Sequence, residues 1–91
     1  MGSVVIVFKV FPTGTDVSFD HLKTKIREVL PDFASIDGYG EEPIAFGLKA
    51  LLVQVRMPED KTGILEELEK RLEAISEVSQ LQTVNVRRTS R

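Results

Sequence analysis

Ser3-Val4-Val5-Ile6-Val7-Phe8-Lys9-Val10-Phe11 is a run of β-branched and aromatic residues interrupted only by Lys9. That density predicts a strand covered on both faces or nearly so, and therefore a central strand of a sheet. Its exit, Pro12-Thr13-Gly14-Thr15-Asp16, is turn chemistry. Ser18 then stands where an N-cap belongs, ahead of Phe19, Leu22, Ile26 and Val29 at spacings of three and four. A first amphipathic helix is expected there, ending before Pro31.

Beyond this helix the pattern weakens. Phe33, Ile36 and Tyr39 are scattered among glycines and acids from Asp32 to Glu42, which predicts a short or irregular edge strand with a loop around Gly38-Tyr39-Gly40. After Pro43, the segment Gly47 to Met57 is strongly apolar and reads as a second strand. Pro58-Glu59-Asp60-Lys61 turns the chain, Thr62 is placed to cap, and Leu65, Leu68, Leu72 and Ile75 recur at helical spacing opposite Glu66, Glu67, Glu69, Lys70, Arg71 and Glu73. Val78 to Arg88 alternates loosely through Val78, Leu81, Val84 and Val86, predicting a last strand and a short basic tail. The order β-α-β-β-α-β with right-handed crossovers gives an α+β, ferredoxin-like sandwich: a four-stranded antiparallel sheet with two helices on one face and the other face bare.

Composition is compatible with that picture. The chain has 91 residues, 42% hydrophobic and 29% charged, which predicts one folded domain over 1–91 with no room for a deep enclosed cleft. It has no cysteine, so disulfide, thiolate and iron–sulfur chemistry are excluded, and a reducing, cytoplasmic setting fits. The first apolar run is too short to span a membrane and lacks the flanks of a signal peptide, and Ile6 stands where a myristoylation signal needs Ser or Thr. A soluble, unprocessed chain is expected. A net charge of -2 and a pI near 5.4 argue against general nucleic-acid binding.

Catalytic candidates are few. His21, the single histidine, has no Ser, Cys or second His spaced to form a relay, so an exposed, idle side chain is expected. The acids lie on helix surfaces and turns without metal-ligand spacing, and Pro12-Thr13-Gly14-Thr15 lacks the Gly-Lys-Ser/Thr of a phosphate loop. RNA-recognition domains share this topology but stack bases on aromatics of both central strands; here Phe8 and Phe11 lie in the first strand and none in the third, and Phe8 is expected in the core. An acylphosphatase-like site needs an anion-binding loop, and Thr13-Gly14-Thr15-Asp16 ends in an acid. A small ligand-binding or ribosome-associated module of the same fold is the alternative class, with Arg87, Arg88 and Arg91 as its only local basic feature.

The unusual segment is Glu41-Glu42-Pro43-Ile44-Ala45-Phe46-Gly47-Leu48-Lys49. Small neighbours leave the Phe46 ring free to project; equally, Phe46 could begin the strand and pack beneath the second helix. Spacing leaves both open. The block resembles the Pro-Ile/Val-Gly-aromatic-Gly-Ile-Lys-Lys-Leu motif of the guanine-nucleotide-exchange domains of the translation elongation factor 1-beta family, in the short archaeal form. The resemblance extends through the first strand and its Pro-containing exit, the helix near Phe19, the Pro58-to-Lys61 turn and the closing strand. Ala45 replaces a family glycine and Ala50 the second lysine.

The resemblance implies an exchange factor without catalytic residues or cofactor, acting on the elongation factor 1-alpha GTPase, with no direct nucleic-acid or membrane partner and monomeric alone. It implies that Phe46 enters a pocket of the GTPase, with Pro43, Ala45, Gly47 and Lys49 around it. A family lysine that disturbs the GTPase magnesium aligns with Thr83, leaving either an indirect route or substitution by Arg87 or Arg88.

Overall fold

A computed structural model of the chain describes residues 2–58 and 63–89. Its elements are β1 (Ser3–Pro12), α1 (Phe19–Val29), β2 (Ser35–Pro43), β3 (Lys49–Pro58), α2 (Ile64–Glu73) and β4 (Val78–Thr89). All neighbouring strands are antiparallel, in the order β2-β3-β1-β4. This is the ferredoxin-like α+β arrangement, with β1 and β3 in the middle as their apolar runs demand.

Alternation along β1 explains which face the helices take. Ile6, Phe8 and Val10 are buried with Leu51, Val53, Val55 and Met57 of β3, and Leu22, Ile26, Leu68 and Leu72 of the two helices close over them. Each of those four helix residues is fully buried, and full burial of such a side chain stabilises by roughly 1.5–3 kcal/mol. The opposite face carries Val5, Val7, Lys9 and Phe11. Val5 is fully buried even there; its register neighbours are Arg56 and Arg87, whose long stems cover apolar surface well.

Helix α1 starts as its sequence predicts: the Ser18 hydroxyl accepts a hydrogen bond from the His21 amide, and Leu30 ends the helix before Pro31. Helix α2 does not. Its N-cap is Gly63, with φ 74 and no side-chain hydrogen bond, in place of the expected Thr62. The turn residues 59–62 lie outside the described residues.

Three strand expectations are corrected. No loop interrupts Gly38-Tyr39-Gly40: β2 is continuous, because pairing with Gln54, Val53 and Leu52 of β3 satisfies a backbone of weak intrinsic preference. The irregularity is one extra residue at Asp37, between the Ile36 and Gly38 pairings. β3 begins at Lys49, since Phe46 and Gly47 both have positive φ and belong to a turn. Arg87 and Arg88 form no tail but pair with Val5 and Val4. The loose alternation of β4 comes from two extra residues, Val84 between the pairings of Thr83 and Asn85 and Ser79 between those of Val78 and Gln80.

Candidate functional site

Strands β2 and β3 are joined through Ile44-Ala45-Phe46-Gly47-Leu48. The Leu48 amide donates to the Ala45 carbonyl at 2.8 Å and the Ile44 amide to the Leu48 carbonyl at 2.9 Å. The two residues inside the first of these bonds, Phe46 (φ 53) and Gly47 (φ 79), are both left-handed, the signature of a type I′ turn. Such turns favour Asn-Gly or Gly-Gly. An aromatic in the first position costs roughly 1–3 kcal/mol in backbone strain, and its ring is 98% exposed. The reading of Phe46 as a core residue beneath the second helix is therefore overturned. Among the described residues, neither contact nor conformation rewards the ring.

Pro43, Ala45 and Gly47 are exposed around it, and Ile44, 43% exposed, adds apolar surface. The base of the hairpin is fixed by charge on both faces of the sheet: Lys49 pairs with Glu41 at 3.6 Å, and Lys9 with Glu42 at 2.8 Å. Beside the turn lies an open groove of ≈ 300 Å³ between the β1–α1 segment (Pro12, Gly14, Thr15, Val17, Phe19) and Glu41, Gly47 and Lys49. Sequence reasoning did not assign the β1–α1 wall, Glu41 or Ile44. The wall joins the site only because β1 and β3 pair, which places the exit of one against the entry of the other, and no local pattern signals that.

The other predicted residues lie elsewhere. Thr83 donates to Glu69 Oε2 of α2 at 2.6 Å, on the helix-covered face. Arg87 and Arg88 stand opposite Val5 and Val4, whereas Leu51, two residues beyond Lys49, stands opposite Val10. At the strand rise per residue this separates the arginines from the Phe46 turn by roughly 20 Å.

His21 is exposed but not idle: its Nε2 lies 2.9 Å from Glu77 Oε2. That bond, and the Ser76 hydroxyl donating to Glu77 Oε1 at 3.0 Å, hold the Glu77 carboxyl below its usual range. The pair ties the first turn of α1 to the start of β4. Among the described residues no group of three or more His, Cys, Asp or Glu is placed to hold a metal ion, and no helix is long and apolar enough to cross a membrane.

The chain matches a family profile described as the EF-1 guanine nucleotide exchange domain over residues 5–91. It is 42% identical over 88 residues to an elongation factor 1-beta of Staphylothermus marinus, covering 97% of this chain and 98% of that protein. It is 40% identical over 88 residues to one of Aeropyrum pernix, covering 97% and 98%. In fold alone it is similar to the C-terminal domain of the MgtC protein from Mycobacterium tuberculosis, with a TM-score of 0.64 at 13% identity, covering 90% of this chain and 85% of that one.

Proposed function

This chain belongs to the EF-1 guanine nucleotide exchange domain family, and from that premise we propose that it promotes GDP release from elongation factor 1-alpha by docking through the Phe46 turn. It is an exchange factor, not an enzyme with a catalytic centre. The observation that carries the site is the fully presented Phe46 ring on a strained, hydrogen-bonded turn. Strain held at one exposed position is the mark of a site whose benefit is realised in a complex.

Exchange needs no reacting side chain. A factor that binds the nucleotide-free GTPase more tightly than the loaded one lowers nucleotide affinity by the same ratio. Phe46 supplies the anchor, with Ile44 and Pro43 extending the apolar contact. Ala45 and Gly47 keep the ring unobstructed, and Lys49, balanced by Glu41, fixes the rim. Thr83 is uncharged and already bonded to Glu69, so either the magnesium is released indirectly through the GTPase loops or a cationic effect falls to Arg87 or Arg88, a second contact on the same partner at the other end of the sheet. The factor acts as a monomer in the cytoplasm.

The test is release of labelled GDP from the GTPase with the wild-type chain, Phe46→Ala and the Arg87→Ala/Arg88→Ala pair. Loss of release with Phe46→Ala supports the anchor, and normal release removes it. If the arginines act on magnesium, their variant loses exchange at millimolar magnesium and recovers when magnesium is chelated.

A further inference from the structure

Gly47 has φ +79, and a Cβ built on it meets nothing within 4 Å. Space therefore does not require glycine there; only the left-handed backbone does. That backbone closes the turn whose Leu48-to-Ala45 bond holds Phe46 outward, and Gly47 also lines the groove beside the ring. Among the described residues no side chain holds the 98% exposed ring, so its direction is set by the turn.

We propose that Gly47 is a positioning residue for nucleotide exchange: its left-handed conformation keeps the Phe46 turn in the form the GTPase recognises, so that docking does not first have to reshape it. This rests on the docking role of Phe46. An L-alanine disfavours the left-handed region enough to lower the fraction of chains with a correctly aimed ring by up to about five- to thirtyfold. A partner that binds only the correct form then needs proportionately more factor, while the complex, once made, is unchanged. The effect falls on the half-saturating concentration of factor and spares the maximal rate of release.

The molecule contains its own control. Gly63 has φ +74 and equally open surroundings, but it is the N-cap of α2, beyond the other end of β3. Gly63→Ala imposes comparable backbone strain away from the Phe46 turn. Asparagine separates conformation from bulk, since it tolerates the left-handed region far better than alanine yet is larger and more polar.

The experiment measures labelled-GDP release against factor concentration, with melting temperature, for the wild-type chain, Gly47→Ala, Gly47→Asn, Gly63→Ala and Phe46→Ala. Gly47→Ala is expected to raise the half-saturating concentration severalfold, by up to about five- to thirtyfold, at a near-normal maximal rate. Gly47→Asn recovers most of that loss, and Gly63→Ala melts lower without moving the half-saturating concentration. A normal half-saturating concentration for Gly47→Ala overturns the proposal, as does Gly47→Asn behaving worse than Gly47→Ala, which means bulk at the contact matters. If those failures occur while Phe46→Ala is defective, the docking role of Phe46 survives. If Phe46→Ala exchanges normally, that role falls and this proposal with it.

Discussion

Phe46 combines two unfavourable features, a left-handed backbone and an exposed ring, so its removal has little to destabilise. Phe46→Ala is expected to leave the melting temperature within a few degrees of the wild type while slowing GDP release at least about tenfold, the scale of an aromatic hot spot. Phe46→Asn sharpens this. Asn-Gly is the favoured type I′ pair, so that variant should be more stable by about 1 kcal/mol, or roughly 4–8 °C in a domain of this size, and still fail to exchange. A loss of stability in Phe46→Asn would show that the ring makes contacts the fold needs. At Asp37, the bidentate hydrogen bond from Arg56, whose Nη2 lies 2.8 Å from Oδ2, holds the carboxyl below its ordinary value of 3.8. A carboxyl lowered by folding contributes stability that is complete above that ordinary value and disappears as pH falls through the lowered one. Urea midpoints measured from pH 2 to 6 should therefore show the wild type losing its advantage over Asp37→Asn only below about pH 4. An advantage that disappears between pH 5 and 7 would contradict this origin.

At the scale of elements, helix α2 starts without a side-chain cap and is held by Leu68 and Leu72, both fully buried against the sheet. Leu68→Ala should cost about 2–5 kcal/mol in chemical unfolding; a loss under about 0.5 kcal/mol would mean that the helix is not anchored through this face. Helix α2 and β3 were legible because their apolar spacing matches 3.6 and 2.0 residues with little interruption. Strand β2 was not. Its glycines and acids carry almost no strand preference, and what makes Ser35–Pro43 continuous is the hydrogen-bonding edge that β3 offers. The extra residues at Asp37, Ser79 and Val84 escaped for the same reason, since they adjust one strand to its neighbour and have no meaning within one strand.

For the whole molecule, exchange is a linkage between two ligands of one GTPase. The ratio by which this factor weakens GDP binding must equal the ratio by which GDP weakens factor binding. Calorimetry on the nucleotide-free and GDP-loaded GTPase should return those two ratios as equal, and a factor that binds both states equally could not drive exchange. The His21–Glu77 pair ties the first turn of α1 to the start of β4, while the amide of Thr13 donates to the carbonyl of Glu77 at 3.0 Å. This links the β1–α1 wall of the groove to β4, away from the turn itself.

The apolar runs and periodicities of β1, α1, β3, α2 and β4, with an irregular edge strand expected between α1 and β3, determined the element order and hence the sandwich, because right-handed crossovers restrict how such elements stack. The segment Pro43 to Lys49 likewise carried the family resemblance in its order of residues. Tertiary structure decided whether Phe46 lies in the core or in solvent, because a Phe before a strand satisfies either arrangement until the turn's φ angles are known. It also decided which residues lie around the Phe46 turn. The β1–α1 segment reaches Gly47 and Lys49 only through the β1–β3 register, and the β1–β4 register carries Arg87 and Arg88 to the far end of the sheet. Distances between strands are set by long-range pairing, and the local sequence on either strand does not encode them.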